Sequence, residues 1–377
     1  MYSVLDYGRM AADGVRLDAY ARAIERAVKP GSVVLDIGAG TGFFSLLAAK
    51  AGARRVHAVE PNPAIWLLPE LARENGLEDR ITIHHTSSLE LELPEKADVI
   101  ISDLRGSFSL YDEHLAVLRD AKTRLLAPKG VLMPARDVLY AGLVESPDLA
   151  NRLAGGTVAF ERHGLGAEAA RRSILNTPLT DDGSLRSNDL LTTSAAWATI
   201  EYGTHEGIVE GEIELVTKRR GTAHAIAVWF SATVMDDIVY ANEPGSALVY
   251  SRFVFPLLEP VELEHGDRAR VLLRADETGN RWAWETSVRG TDGQPKARMR
   301  QSSFFGTPTS PEALLRGSTS YAGVLSPYGQ RVKKTLELMD GKRTVADIAR
   351  EVSALDPKLP ERTILEEVRS VVARYGR

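Results

Sequence analysis

Residues Val33 to Gly42, VVLDIGAGTG, constrain this chain more than any other stretch. Ser32–Ile37 reads as a short buried strand and Phe43–Ala51 as a helix rich in alanine and leucine, with Gly38, Gly40 and Gly42 at the turn between them. Glycine is needed where backbone must bend tightly and let a ligand approach without meeting a Cβ. Strand, glycine turn and helix together open a parallel sheet wrapped by helices, a fold that binds ligands at the carboxyl ends of its strands.

The same alternation continues to Pro134. Asp18–Val28 has helical apolar spacing, Arg55–Glu60 reads as a second strand, Pro63–Asn75 as a helix, Ile81–His85 and Ala97–Ser102 as further strands, His114–Leu126 as a helix and Gly130–Pro134 as a last strand. These elements predict an α/β, Rossmann-like domain over residues 1–135. From 136 to 307 the texture changes to strand-like runs, Val138–Val144, Ala196–Tyr202, Gly211–Val216, His224–Ala232, Phe253–Leu258, Ala269–Ala275 and Arg281–Val288, separated by Gly, Asp and Asn turns. An antiparallel β-barrel or sandwich with an insertion at about 146–195 is the simplest reading. Pro, Gly, Ser and Thr crowd the segment 308–327, which reads as a linker to a small helical unit at 323–377. Within that unit Thr344 and Asp347 form a near-capping-box, while Ile364, Val368 and Val371 supply an apolar face.

Composition narrows the function classes. A net charge of -5 gives no general attraction for nucleic-acid phosphates or anionic lipid, and no apolar window approaches the roughly 18 residues of a membrane span. Without cysteine there is no disulfide framework and no thiolate chemistry. The start MYSVLDYGRM does not read as a secretory signal, so a cytoplasmic protein is expected. His84 and His85 have no acid cluster or further histidine at ligand spacing, and no metal site is expected. Trp282 and Trp284 share one sheet face and read as core packing, and Lys218–Gly221 as a solvated hairpin turn.

The glycine turn has acidic company. Asp36 precedes it, and Glu60 ends the second strand 24 residues later, where an acid accepts hydrogen bonds from ribose hydroxyls. The glycines follow G-x-G-x-G rather than the dinucleotide pattern G-x-G-x-x-G, and Asp36 suits an ammonium better than a pyrophosphate. A tight turn without a ligand and a dinucleotide site remain as alternatives. The segment DIGAGTGFFSLLAAKAGARRVHAVEP, Asp36–Pro61, resembles the first motif and following strand of the protein arginine methyltransferase family. Upstream, Asp13–Tyr20 is similar to that family's cofactor-capping helix. Downstream, Ile100–Leu115 sits where the family carries its double-glutamate loop, and Thr222–Phe230 and Phe255–Asp267 resemble its barrel hairpins.

The resemblance covers roughly residues 1–300 and implies S-adenosylmethionine as cofactor. By it, Arg16 reaches the cofactor's carboxylate, and Asp36, Gly38, Gly40, Gly42 and Glu60 complete the site. Leu89 stands where the family has an acid near the adenine amine, and Ser88 offers a polar group in its stead. A solvated helix-surface charge is the other reading of Arg16. The acceptor residues implied are Asp103 and Asp112, nine apart like the family's glutamates, with Glu113 adjacent. Each aspartate is one methylene shorter, about 1.5 Å less reach, and a misplacement of about 1 Å is costly. Capping of the strand end by Asp103 and of the next helix by Asp112 is the competing reading. Leu248-Val249-Tyr250 stands where the family has Thr-His-Trp, Tyr7 where it has a histidine, and Arg105 puts a cation in the acidic loop. Such an arginine repels a guanidinium and suits a carboxylate, or is an exposed loop cation without a role.

These features imply an enzyme moving methyl from S-adenosylmethionine to a nitrogen of a protein or peptide, with arginine guanidinium as one acceptor. An oxygen or small-molecule acceptor and a non-catalytic cofactor-binding scaffold stand as alternatives. The resemblance further implies a homodimer formed through an arm at about Ala150–Ser173. Leu336–Ala349 resembles small PqqD-like helical domains that bind peptides beside modifying enzymes; a plain structural cap is the other reading.

Overall fold

The computed structural model describes residues 2–106, 108–110, 112–181 and 183–376. They divide into two units, 1–308 and 309–377. The first unit begins with α1 (Val4–Ala11), held by a capping box between Ser3 and Asp6, and α2 (Gly14–Ala27), capped by Asp13. Ala19, Tyr20, Ala23 and Ile24 recur at helical spacing on the buried side of α2. The alternating pattern of the sequence then becomes β1 (Val33–Ile37), α3 (Phe43–Lys50), β2 (Arg55–Val59), α4 (Leu68–Glu74), β3 (Ile81–His84), β4 (Ala97–Ser102), α5 (His114–Asp120) and β5 (Leu126–Met133).

These strands form a parallel sheet in the order β3-β2-β1-β4-β5. Every residue of β1 is buried, as a strand covered on both faces requires. The winding reverses between β1 and β4, so their carboxyl ends open onto one crevice. Tyr20 fastens α2 over that crevice through its hydroxyl, which donates to the Ser102 carbonyl at 3.0 Å.

The chain continues with β6 (Arg136–Val144), an arm of α6 (Pro147–Gly155), α7 (Val158–Arg162) and α8 (Glu168–Leu175), then β7 (Leu179–Thr180), β8 (Ala195–Glu201), β9 (Val209–Val216), β10 (Gly221–Met235), β11 (Ile238–Ala241), β12 (Phe253–Leu263), β13 (Arg268–Ala275), β14 (Trp282–Arg289), β15 (Pro295–Ser302) and a short α9 (Ser303–Gly306). They build two antiparallel sheets, β7-β12-β10-β6-β8 with β11 on β10, and β15-β14-β13-β9. Phe230, Phe255, Trp282 and Trp284 fill the space between them, and one continuous core runs from α2 and β4 into these sheets. The sequence reading has no counterpart for β11 or β15. In β15 only Met299 and Gln301 are buried, so an edge strand of exposed basic residues carries almost no apolar signal.

The second unit contains α10 (Pro311–Arg316), α11 (Pro327–Leu338), α12 (Val345–Ser353) and α13 (Glu361–Tyr375). Leu338, Ile348, Val352, Ile364 and Val368 form its core, and Thr344 and Asp347 close a full capping box. Arg331 grips Glu367 with two hydrogen bonds, of 2.7 and 2.8 Å. No helix among the described residues is long and apolar enough to cross a membrane.

One buried ion pair secures the loop before β12. Arg252 Nε lies 2.9 Å from Asp181 Oδ2, and the same guanidinium donates to the carbonyls of Asn242 and Glu243 at 3.3 and 3.1 Å. Removing one member strands the other charge in the interior. Arg252→Met is therefore expected to destabilise the first unit by about 3–5 kcal/mol in chemical denaturation; a loss under about 1 kcal/mol would contradict the role given to this pair.

Candidate active site

The glycine turn is pinned to β2 before any side chain is considered. Gly38 and Ala39 both donate to the Val59 carbonyl, at 2.9 and 3.1 Å, and Gly38, Gly40 and Gly42 take φ of +75°, +54° and +90°. A Cβ at Gly38 would fall 2.3 Å from Leu104 Cδ2, and one at Gly40 2.6 Å from Tyr7 Cε1. Both positive φ and lack of room thus require glycine here.

Glu60, at the tip of β2, clamps the turn from below. Its Oε2 accepts from the Gly40 amide at 3.0 Å and its Oε1 from the Asn62 amide at 2.7 Å. Each oxygen keeps a further acceptor site for a ligand hydroxyl. Asp36 is almost fully buried at the end of β1, where its Oδ2 accepts from the Ser45 hydroxyl at 2.6 Å. Burial outweighs that bond and pushes the Asp36 carboxyl up to about 7, with the negative charges of Glu60 and Asp103 adding to the rise. Ser88 is buried in the turn after β3, where its carbonyl accepts from Arg124 Nη2 at 2.6 Å, while Leu89 beside it is exposed.

α1 and α2 cover the crevice. The Tyr7 ring bounds the Gly40 side, and burial, then the charge of Glu60, pushes its hydroxyl up to about 12. Arg16 is buried, which removes the reading of a solvated surface charge. It pairs with Asp103, stands 3.6 Å from Asp13 and lies over the Tyr250 ring at 5.5 Å. Asp13 also accepts from the Val249 amide at 3.1 Å, so Leu248–Tyr250 rests directly on the start of α2.

The acidic loop after β4 behaves differently from its spacing. The Asp103 side chain, 8% exposed, lies between two arginines, Arg16 and Arg105, the latter with Nε at 3.8 Å. Asp112 and Glu113 are exposed. The cause is Phe108, which inserts among Phe230, Phe253 and Trp282 and draws the loop toward the barrel, where the Asp112 amide donates to the Thr278 carbonyl at 3.1 Å. Ser107 and Tyr111 lie outside the described residues. Neither Asp112 nor Glu113 caps α5 with its side chain. Arg105, readable from the sequence as an exposed loop cation, is fully buried with Nη1 2.6 Å from Asp137 Oδ2.

Asp137 and His114 escaped the sequence reading. His114 is buried with neither ring nitrogen bonded, and burial, then the charge of Arg105, holds its imidazole down at about 3. Its ring meets Tyr202 edge-on at 5.2 Å. His84, one of the pair weighed against a metal site, lies with Nε2 2.9 Å from His57 Nδ1.

A parallel sheet with a glycine turn after β1, an acid ending β2 and a buried acid before the turn defines a methyltransferase domain of the S-adenosylmethionine-dependent class. Three observations fit that cofactor: the cradle that a Cβ would fill, buried Asp36 for an ammonium, and a buried Arg16 whose Nε lacks a bond. The TRM5/TYW2 methyltransferase domain model matches residues 15–122. The chain is 32% identical to protein arginine N-methyltransferase 6 of Danio rerio over 234 residues, 59% of this chain and 67% of that protein. It is 30% identical to probable protein arginine N-methyltransferase 6 of Arabidopsis thaliana, over 59% of this chain but only 52% of that protein. Among solved structures, Arabidopsis thaliana protein arginine methyltransferase 10 superposes with a TM-score of 0.71 at 22% identity, over 80% of this chain and 97% of that one. The Trypanosoma brucei PRMT1 enzyme-prozyme complex gives 0.70 at 24% identity, over 78% and 96%. The chain belongs to the protein arginine methyltransferase family.

A cofactor ammonium held beside Asp36 would make binding depend on pH. With its carboxyl at about 7, the group is protonated in mildly acid solution, and an ammonium placed beside it favours the ionised form. Binding then releases a proton, so affinity for S-adenosylmethionine is expected to rise from about pH 5 to about pH 7 and level off above. Calorimetry across that range measures it, and Asp36→Asn should flatten the profile. An affinity that falls over the same interval would contradict the assignment.

Proposed function

We propose that this chain transfers the methyl group of S-adenosylmethionine to a nitrogen of a protein or peptide. The observation that carries the reading is the donor side: Gly38, Gly40 and Gly42 under Tyr7 and Leu104, with Asp36 and Glu60 at adjacent strand tips. When bound, the cofactor supplies an electrophilic sulfonium methyl. Glu60 receives the ribose hydroxyls, Asp36 the ammonium, Arg16 the carboxylate, and Ser88 lies on the adenine side. Asp103, with Asp112 and Glu113 on the outer part of the loop, forms the acidic acceptor side. Arginine guanidinium is the acceptor that the names of the matched relatives give to those proteins. A second reading, an oxygen or small-molecule acceptor, is favoured by the ion pairs that Asp103 already makes with Arg16 and Arg105.

The assembly proposed is a homodimer through the arm α6–α8, on which Val158, Phe160 and Leu165 are exposed. A cytoplasmic setting and a peptide-presenting role for the PqqD-like residues 323–377 belong to the same reading.

Purified protein with labelled S-adenosylmethionine is expected to label proteins or peptides of a lysate; absence of transfer to any fraction would sink the proposal. Two variants separate the halves of the site. Glu60→Ala removes the acceptors for the ribose hydroxyls and should weaken cofactor binding by about 10- to 100-fold. Asp103→Ala frees Arg16 and should leave cofactor affinity equal or higher while lowering transfer by about 100-fold or more. Equal turnover in Asp103→Ala and wild type would remove Asp103 from the acceptor side.

A further inference from the structure

The acceptor side already holds a guanidinium of the chain's own. Arg105 is fully buried, with its guanidinium carbon 4.8 Å from the ring centre of Phe230, 5.5 Å from Tyr240 and 5.6 Å from Tyr202. Three rings at that range favour a cation. Asp137 anchors it at 2.6 Å and is itself fixed by hydrogen bonds from the hydroxyls of Ser109 and Tyr202. On the other side, Arg105 Nε stands 3.8 Å from Asp103 Oδ1. Each buried carboxylate at this point thus faces an arginine of the chain.

We infer that Arg105, held by Asp137, is a specificity determinant of the acceptor site: it counter-charges Asp103 and directs the site to an acceptor group without positive charge. The inference rests on the reading of Asp103 as the acceptor-side carboxylate. A guanidinium entering here gives up its hydration to meet a carboxylate that is already compensated, and a buried charge without a free partner is costly. Release of Arg16 to the cofactor leaves Arg105 in place, since its anchor Asp137 takes no part in the donor side.

Hydrogen-bond supply points the same way. Arg105 Nε and Nη2 are buried donors without acceptors, and Asp103 Oδ1 is a buried acceptor without a donor. A guanidinium offers donors only and sets a second cation against Asp103 beside Arg105. A neutral group with a donor, such as an amide, a neutral imidazole or a hydroxyl, can meet Asp103 Oδ1 without bringing a second charge beside Arg105. Arg105 acts through Asp103 and is a positioning residue.

The test compares an arginine-containing peptide with the same peptide carrying citrulline, its neutral isostere, for binding in the presence of S-adenosylhomocysteine. Wild type is expected to bind the citrulline peptide at least as tightly. Arg105→Met/Asp137→Ala removes both buried charges, a change that often leaves stability intact, and should shift the ratio toward arginine by about tenfold or more. Arg105→Lys keeps the charge and should keep the wild-type preference. Binding of the arginine peptide by the double variant alone also supports the inference. A wild-type preference for arginine of about tenfold overturns it, whether or not the double variant folds. So does a folded double variant with the wild-type ratio, or with no binding of either peptide. Calorimetry of the cofactor and transfer to lysate report separately on the methyltransferase reading, because neither depends on the peptide ratio.

Discussion

A buried line of charge, Arg16 to Asp103 to Arg105 to Asp137, joins the three parts that make the site. Arg16 comes from α2, Asp103 and Arg105 from the loop after β4, and Asp137 from the start of β6. Buried ion pairs are costly to form but costlier to break, since a lost partner leaves a charge in low dielectric. The line therefore fixes where α2 and the barrel stand relative to the parallel sheet. Tyr20 on Ser102 and Asp13 on the Val249 amide reinforce that arrangement with directed bonds of 3.0 and 3.1 Å.

The donor half of the site is made largely of backbone. Gly38 and Ala39 hang from Val59, Gly40 from Glu60, and the positive φ of three glycines sets the path of the turn. Asp36 lies in β1 opposite Ala58 of β2, and Glu60 directly follows β2, so their separation is set by the sheet itself. Short-range sequence order is enough to encode such a site. That is why the strand, the glycines and both acids were legible from residue type and spacing alone.

The half proposed for the acceptor was legible only in outline. Asp103 and Asp112 keep the family's interval, but an interval along a loop says nothing about where a distant core will hold it. Phe108 buries itself among three aromatic residues of the barrel, and the chain on either side diverges, Asp103 inward and Asp112 outward. Asp137 could have been found. It shares strand parity with Leu139, Ala141 and Leu143, all fully buried, so the two-residue period of β6 places its carboxylate inside. An acid on the inward face of a strand demands a cation. Arg105 had no such period, because it lies in an irregular loop.

The two halves differ in what they tolerate. Backbone geometry around the glycines tolerates little, since a Cβ at any of the three would collide with Leu104, Tyr7 or Leu68. The proposed acceptor side is set by side-chain charge. Arg105 and Asp137 are a compensating pair: each is fully buried, each needs the other, and the donor-side bonds of Asp36 and Glu60 involve neither. Substitution at one position alone leaves an uncompensated charge.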